Sequence, residues 1–289
     1  MRIVRDLPAL REATAALKAA APPGRPRLAL VPTMGALHDG HLALLAAARA
    51  AASASMASIF VNPLQFGPQE DLSRYPRTEA DDLSALSAGG CDLAWLPGVA
   101  DLYPPGSATT IDVAGPAEGW EGEHRPHHFR GVATVCAKLF LFTGAELAFF
   151  GEKDWQQLQV VRRLVRDLGL PLEIRGVPTV REPDGLALSS RNRFLTPEER
   201  RRAPVLHAAL QRAAGRIAAG EAVAPALAEG DAALRAAGFA PDYLALVDAE
   251  TLRPLEVPDA ARPARLLAAA RLGSVRLLDN LGVGRHAPG

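Results

Sequence analysis

The chain has 289 residues, 48% of them hydrophobic and 22% charged, and its 32 Lys and Arg residues balance its 32 Asp and Glu residues. This length suits one large domain or two modest ones with a sizeable core. The formal net charge of zero provides no global basic field for a nucleic acid backbone, so we expect no nucleic-acid partner.

The charge pattern and the two cysteines indicate a cytoplasmic protein. The N-terminal residues are charged throughout and lack the apolar segment of a secretory signal. The longest apolar stretch, Leu42–Val61, contains Arg49 and divides better into a helix and a strand than it spans a bilayer, so we expect no membrane contact. Cys91 and Cys136 lie far apart without a CxxC motif, which predicts reduced core thiols.

Short apolar segments alternate with helical segments through the first part of the chain. The predicted strands are Leu28–Val31, Met56–Val61, Asp92–Leu96, Thr109–Val113, Leu147–Phe150 and Leu172–Val177. The predicted helices are Asp6–Ala20, His41–Ala52, Glu79–Ser87 with Thr78 as its cap, Gly131–Thr143 and Trp155–Leu168. This alternation predicts an α/β fold with a mostly parallel sheet and helices on both of its faces.

The pattern changes after about Val180, and we place a domain boundary there, giving domains 1–178 and 179–289. Thr196-Pro197-Glu198-Glu199 has the capping signature of a helix start and opens a predicted long Ala/Arg-rich helix. A second helix, Ala224–Ala237, and three strands, Asp242–Asp248, Ala264–Ala270 and Ser274–Asp279, follow. The second domain is therefore predicted to be a smaller α+β domain with an antiparallel sheet.

Leu30–His41 is the segment around which the predicted site is organised. A strand, a glycine-containing turn and a helix start direct backbone N–H groups and the positive end of a helix toward phosphate. Gly35 and Gly40 have Walker A spacing, but no Lys-Ser/Thr pair follows, which excludes a P-loop NTPase. His38 and His41 lie on one face of the first turn, where each imidazole can donate to a phosphate oxygen. For an isolated HxGH, two solvated histidines would be the better interpretation; the strand and the turn favour a phosphate site.

Three polar motifs follow predicted strands: HDGH, NPLQF and GEKD. Ligands of parallel sheets bind beyond the carboxyl ends of the strands, so this coincidence favours one shared site. In GEKD, Lys153 is a mobile charge suited to phosphate, whereas a solvated turn is the alternative for the tetrapeptide alone. Gln65 and Gln157 are neutral groups suited to a hydroxylated carboxylate, although surface glutamines are common.

Ser189, Ser190 and Arg191 place two hydroxyls and a guanidinium in a loop between the predicted domains. Such a loop can close over a polyphosphate and neutralise its charge, while a hydrophilic linker is the alternative.

Two clusters, one rich in histidine and one acidic, each allow a metal-binding interpretation and an alternative to it. His124, His127 and His128 resemble a zinc cluster in composition, but no second ligand pair at fixed spacing supports it, and we favour a substrate-facing loop. Asp81 and Asp82 could contact magnesium, and the acidic first turn of a helix explains them equally well. We assign no metal ligand.

PTMGALHDGH, VNPLQFG, RPHHFRGVATV, GEKDWQQL and DGLALSSRNRFL together resemble the pantothenate synthetase family, whose motif order they share from Pro32 to Leu195. HxGH alone also marks nucleotidylyltransferases and class I aminoacyl-tRNA synthetases. The resemblance implies a Rossmann-like first domain, a smaller C-terminal domain, and a homodimer. It also implies ATP with Mg2+, pantoate and β-alanine as substrates. Trp155 stands where Tyr or Phe is usual, and His127 occupies a variable position.

The resemblance also implies roles for single residues. Residues implied to bind ATP are Met34, Gly35, Ala36, Leu37, His38, Asp39, Gly40, His41, Gly151, Glu152, Lys153, Asp154, Val180, Leu188, Ser189, Ser190 and Arg191. Residues implied to take part in catalysis are His41 as the proton donor, His38, Lys153, Ser189, Ser190 and Arg191. Gln65 and Gln157 are implied to bind pantoate, with Gln65 beside the β-alanine position.

The expected reaction is a two-step ligation through an acyl adenylate. Two alternatives differ in their products. A nucleotidylyltransferase would release pyrophosphate without needing an amine, and a non-catalytic nucleotide-sensing module would bind ATP without turnover. A small tRNA synthetase is disfavoured by the balanced charge and by the lack of an evident anticodon-binding appendage.

Overall fold

The computed structural model describes residues 1–67, 72–258 and 262–284, and it contains two compact units. Unit 1 is Met1–Glu152 with Val160–Val177, and unit 2 is Lys153–Gln159 with Pro178–Gly289. The units therefore differ from the contiguous domains 1–178 and 179–289, which stay a prediction, because Lys153–Gln159 belongs to unit 2. In the described ranges, no helix has the length and apolarity that a membrane crossing needs.

Unit 1 is built on a parallel sheet. Its strands are β1 Arg2–Val4, β2 Leu28–Thr33, β3 Ala54–Ile59, β4 Leu93–Trp95, β5 Leu147–Gly151 and β6 Glu173–Val177. Over the described residues these six strands pair in the order β1-β4-β3-β2-β5-β6, and each pair is parallel. The predicted parallel sheet is confirmed, and β1 is a strand that the sequence interpretation missed.

Helices cover both faces of this sheet. The helices of this part of the chain are α1 Leu7–Ala20, α2 Asp39–Ala51, α3 Glu79–Ala88, α4 Val99–Leu102, α5 Trp120–His124, α6 His128–Thr143 and α7 Trp155–Leu168, and the first five residues of α7 belong to unit 2. Ala29 and Val31 pack with Leu44 and Leu45 of α2 on one face. Leu30 alternates to the other face, where α1 and α6 contact β2, and it is fully buried. Burial on both faces explains the continuous apolar sequence of β2.

The strand order reverses between β2 and β5. From β2 the chain adds β3 and then β4 on one side, whereas β5 and β6 lie on the other side. Open α/β sheets bind ligands beyond the carboxyl ends of the strands at such a switch point. The HDGH motif follows β2, and Gly151 ends β5. The topology therefore places both of these strand ends at the sheet's preferred ligand-binding edge.

Unit 2 combines helices with an antiparallel sheet. The helices are α8 Pro197–Arg202, α9 Val205–Ala218 and α10 Val223–Ala236, and the strands are β7 Phe239–Asp248, β8 Ala264–Leu272 and β9 Val275–Val283. The strands pair in the order β7-β8-β9. Leu206, Leu210 and Leu234 of the helices share a core with Leu266 and Leu277 of the sheet. The predicted α+β architecture is confirmed.

Three local predictions are wrong. Thr109–Val113 forms no strand; the Ile111 N–H instead donates to Thr134 Oγ1 at 2.9 Å. The predicted long helix after Thr196 is divided into α8 and α9 at Pro204, because proline has no N–H and hinders the preceding turn. Thr78 precedes α3 but accepts no capping hydrogen bond, and its hydroxyl donates to Asp82 Oδ1 at 3.2 Å.

Candidate active site

The turn after β2 is held by one buried carboxylate. Asp82 of α3 accepts the N–H of Ala36 at 3.0 Å and the N–H of Leu37 at 2.8 Å. Gly35 and Ala36 have φ angles of +81° and +51°, and a Cβ at Gly35 would meet Asp82 Oδ2 at 2.9 Å. Glycine adopts this conformation readily, whereas alanine is strained in it. Asp82 therefore holds a strained turn in place, while Asp81 is exposed.

His38 and His41 form a reciprocal cap at the start of α2. His38 Nδ1 accepts the Gly40 N–H at 3.2 Å, and His41 Nδ1 accepts the His38 N–H at 3.3 Å. The ring centroids are 4.1 Å apart. A neutral imidazole whose Nδ1 accepts a hydrogen bond carries its proton on Nε2, so we assign that tautomer to both rings from these contacts. The half-buried pair therefore lies at the positive end of a helix, a position that suits an anionic ligand.

Gln65 lies in a hydrogen-bonded cluster of unit 1, in the 3₁₀ turn Pro63–Gln65 after β3. Asn62 Nδ2 donates to Gln65 Oε1 at 2.9 Å, and Tyr103 donates its hydroxyl to Asn62 Oδ1 at 2.9 Å. Burial, reinforced by Cys136, raises the pKa of Tyr103, so its hydroxyl remains a donor at neutral pH. With Oε1 accepting from Asn62, Gln65 presents its Nε2–H groups as donors, which suits a carboxylate or hydroxyl oxygen.

The histidine-rich loop contacts the Gln65 backbone. Arg125 Nη2 and His128 Nδ1 each lie 3.2 Å from the Gln65 carbonyl oxygen, and Glu121 forms an ion pair with Arg125 at 3.4 Å. His124 and His127 are exposed. No group of three or more His, Cys, Asp or Glu side chains suited to a metal occurs among the described residues. The part-buried His128 therefore supports Gln65.

Lys153 is fixed through its backbone within unit 2. It lies in the 3₁₀ turn Glu152–Asp154, and its carbonyl accepts Asn280 Nδ2–H from β9 at 2.7 Å. Its ammonium lies 3.5 Å from Asp154 Oδ1. Trp155 donates its Nε1–H to the Ala249 carbonyl at 2.8 Å. Gln157 follows on α7 and is half-buried.

The predicted closing loop begins as a short hairpin of unit 2. Leu188 N–H donates to the Val180 carbonyl at 3.0 Å, and Arg181 and Ala187 form an antiparallel bridge. Ser189 Oγ then caps the 3₁₀ helix Ser190–Phe194 by accepting the Arg191 N–H at 3.3 Å. The loop is therefore a structured element whose Ser190 and Arg191 lie in the first turn of a 3₁₀ helix.

The predicted site residues divide between the two units. Unit 1 contains Met34, Gly35, Ala36, Leu37, His38, Asp39, Gly40, His41, Gln65, Gly151 and Glu152. Unit 2 contains Lys153, Asp154, Gln157, Val180, Leu188, Ser189, Ser190 and Arg191. Within each unit, residues distant in sequence complete the motifs. Asp82 and Tyr103 do so in unit 1 and Asn280 in unit 2, and no local spacing predicts these contacts.

Comparison with known proteins identifies relatives over nearly the full chain. The family model described as pantoate-beta-alanine ligase matches residues 2–282. Pantothenate synthetase of Acidiphilium cryptum is 58% identical over 283 residues, which cover 98% of this chain and 100% of the relative. Pantothenate synthetase of Thermus thermophilus has a solved structure with a TM-score of 0.89 and 52% identity, covering 97% of this chain and 99% of that chain.

A third relative has bound ligands. The pantoate-beta-alanine ligase of Francisella tularensis, solved in complex with beta-gamma ATP and beta-alanine, superimposes with a TM-score of 0.79. It is 30% identical, and the match covers 97% of each chain.

Proposed function

Because the chain belongs to the pantoate–β-alanine ligase family, we propose that it condenses (R)-pantoate with β-alanine, consumes ATP, and releases pantothenate, AMP and pyrophosphate through a pantoyl adenylate. The sequence alternatives of a nucleotidylyltransferase and of a nucleotide-sensing module describe this family less well, because neither joins an acid to an amine. The observation that carries the proposal is the reciprocal His38–His41 cap, which holds two imidazoles side by side at a helix N-terminus.

In the first step a pantoate carboxylate oxygen attacks the α-phosphorus of ATP, and the bond to pyrophosphate breaks. Two anions must meet and negative charge grows on the leaving group, so the barrier depends on positioning and on hydrogen-bond donors. His38 and His41 act there as donors, with His41 as the proton donor to the leaving group. Residues that supply the remaining phosphate contacts in this proposal are Met34, Gly35, Ala36, Leu37, Asp39, Gly40, Gly151, Glu152, Lys153, Asp154, Leu188, Ser189, Ser190 and Arg191.

In the second step the β-alanine amine attacks the activated carbonyl, and AMP leaves with the bonding electron pair while the amine loses a proton. Gln65 and Gln157 bind pantoate through neutral amides, and Gln65 lies beside the β-alanine position. The fixed orientation of Gln65, whose Oε1 accepts from Asn62, directs its N–H donors to the acid. Val180 lies on the adenine side. Neither buried cysteine is needed, because no covalent enzyme intermediate forms.

Magnesium enters this proposal as part of the nucleotide substrate. Mg2+ is usually bound through substrate phosphates with one or two carboxylates and several waters, rather than by an all-protein cage. Asp154, adjacent to Lys153, is a carboxylate suited to such an outer contact. We further propose, from the family resemblance, a homodimer, and from the two free thiols Cys91 and Cys136 a cytoplasmic location.

Product formation from MgATP and D-pantoate, with and without β-alanine, tests the function. We expect AMP and pantothenate to accumulate together only when β-alanine is present, and without it at most one pyrophosphate per enzyme. Continued pyrophosphate release without an amine, with a stable adenylylated product, would instead identify a nucleotidylyltransferase. ATP binding without any product would identify a sensing module.

A further inference from the structure

Two adjacent residues of β9, Asp279 and Asn280, are polar and almost fully buried. Their exposed fractions are 3% and 4%. Each contacts a segment outside the β7-β8-β9 sheet: Asp279 contacts the hairpin that precedes the Ser189–Arg191 loop, and Asn280 contacts the backbone of Lys153. Both segments belong to unit 2.

Asn280 uses both ends of its amide. Its Nδ2 donates to the Lys153 carbonyl at 2.7 Å, and its Oδ1 accepts from Arg265 Nη1. The Arg265 guanidinium lies over the Trp155 ring, 3.4 Å from its centroid, and Trp155 donates to Ala249. The Asn280 amide therefore contacts both the Lys153 backbone and Arg265 of β8. Arg265 in turn stacks on Trp155, which lies two residues after Lys153.

Asp279 fixes the hairpin through a bidentate contact. Arg181 Nη1 and Nη2 donate to its two carboxylate oxygens at 2.6 and 2.9 Å, and His207 Nδ1 lies 3.3 Å from Oδ2. Arg181 Nη1 also donates to the Gly185 carbonyl at 3.1 Å, which ties the guanidinium to the hairpin turn. Burial raises the pKa of Asp279, but its contacts with His207 and Arg181 outweigh this effect and hold the pKa below its ordinary value.

A buried ionic network of this kind is a poor way to gain stability. Desolvating a carboxylate and a guanidinium is costly, and apolar residues of the same volume often stabilise a fold equally well or better. Buried polar groups do specify one geometry when each of them is hydrogen-bonded. Asp279 and Asn280 can therefore orient the segments that they contact, which leucines at the same positions could not do.

We propose that Asp279 and Asn280 are positioning residues for ATP. Asn280 sets the backbone from which the Lys153 ammonium extends, and Asp279, through Arg181, sets the hairpin from which Ser189, Ser190 and Arg191 extend. Because the two residues are neighbours on one strand, they hold these phosphate-binding groups at a fixed separation within unit 2. This inference rests on the proposed roles of Lys153 and of the loop in binding ATP.

The first test is Asn280→Asp, which keeps the shape and the acceptor for Arg265 but replaces the donor to Lys153 with a carboxylate oxygen. We expect kcat/KM for ATP to fall about 10- to 100-fold, because displacement by about 1 Å is enough for such a loss. The KM for β-alanine should not change. The matched control is Asp242→Asn on β7. This variant removes a half-buried ion pair to Arg276, which lies on β9 as Asn280 does, and it should leave the ATP kinetics unchanged.

A double-mutant cycle separates positioning from general damage. If Asn280 acts through Lys153, adding Asn280→Asp to Lys153→Ala should lower kcat/KM for ATP by less than about threefold beyond Lys153→Ala alone. Losses that multiply in the double variant would overturn the proposal, as would equal kinetic effects of Asn280→Asp and Asp242→Asn.

A second variant tests the other contact and covers the case in which Asn280→Asp does not fold. Arg181→Lys keeps the charge near Asp279 but loses the bidentate geometry, so kcat/KM for ATP should again fall while the KM for β-alanine stays constant. Unchanged ATP kinetics in this variant would overturn the role of Asp279. An unmodified enzyme that makes no pantothenate would contradict the proposed function itself, a result distinct from failure of these variants.

Discussion

The carboxylate of Asp82 should determine whether the turn before His38 keeps its shape. Asp82 accepts the N–H groups of Ala36 and Leu37 at 3.0 and 2.8 Å. In Asp82→Ala both donors lose their partner in a mostly buried turn, and each orphaned group costs about 1–3 kcal/mol. The two contributions predict a local destabilisation of about 2–6 kcal/mol, and the positive φ of Ala36 adds to the tendency to open.

Hydrogen exchange followed by mass spectrometry of a peptide that spans the turn measures this effect directly. Protection of the Ala36 and Leu37 amides should fall by the factor that corresponds to the destabilisation, about 30-fold or more for 2 kcal/mol. Because the turn precedes the histidine cap, kcat/KM for ATP should fall as well. Asp82→Asn should give an intermediate loss, since one acceptor oxygen remains.

Asp81→Asn is the matched control, because Asp81 is the exposed neighbour in the same helical turn. It should leave both amide protection and kinetics unchanged. The reasoning is refuted if Asp82→Ala preserves the protection of the two amides, or if Asp81→Asn and Asp82→Asn lower kcat/KM for ATP equally.

Three further predictions concern the cap, a helix packing contact and the acid response. His41→Ala should fold normally yet lose about 100- to 1000-fold in adenylation rate, because it removes a donor to the developing charge. Pyrophosphate release in a single turnover measures this rate. A wild-type rate would contradict the role of His41 as a donor. Gly131→Ala should destabilise unit 1, because its Cβ would lie 2.2 Å from the Leu64 carbonyl oxygen. The control Gly215→Ala, with nothing within 4 Å of its Cβ, should stabilise by about 0.5–1 kcal/mol, as urea unfolding would report. Asp279 has a lowered pKa in the fold, so its stabilisation is complete above the unfolded value of about 3.9 and is lost as pH falls through the folded pKa. The free energy of unfolding should therefore fall more steeply below about pH 4 in the wild type than in Asp279→Asn, and parallel curves would contradict this.

The sequence predicts those elements whose signal is local. The buried run of β2 and the glycine turn after it are visible in the residues themselves, as is the capping signature of α8. The strand prediction for Thr109–Val113 is wrong because its β-branched residues are typical of strands, whereas the Ile111 N–H donates to the distant Thr134 hydroxyl. Propensity describes a residue's preference and carries no information about whether a neighbouring strand is available.

The same limit applies to the site. HxGH spacing places His38 and His41 together, and the structure adds the Nδ1 contacts that assign their tautomer. The contacts from Asp82 to the turn and from Asn280 to Lys153 join residues far apart in sequence. No spacing rule predicts them, because tertiary packing alone brings the partners together. The roles of the site residues in binding and catalysis stay predictions that the kinetic variants measure.

The discontinuity of unit 2 bears on how relatives can be recombined. A chimera that exchanges only residues 178–289 keeps the parental Lys153–Gln159, although that segment belongs to the exchanged unit. Trp155 is directly affected, because it lies in one part of unit 2 and contacts the other. Its indole N–H donates to the Ala249 carbonyl, and the Arg265 guanidinium stacks on its ring. If this chain's residues 178–289 are placed in a relative that has Phe at position 155, the Ala249 carbonyl loses that hydrogen bond. A chimera that exchanges unit 2 must therefore take both of its sequence segments from the same parent.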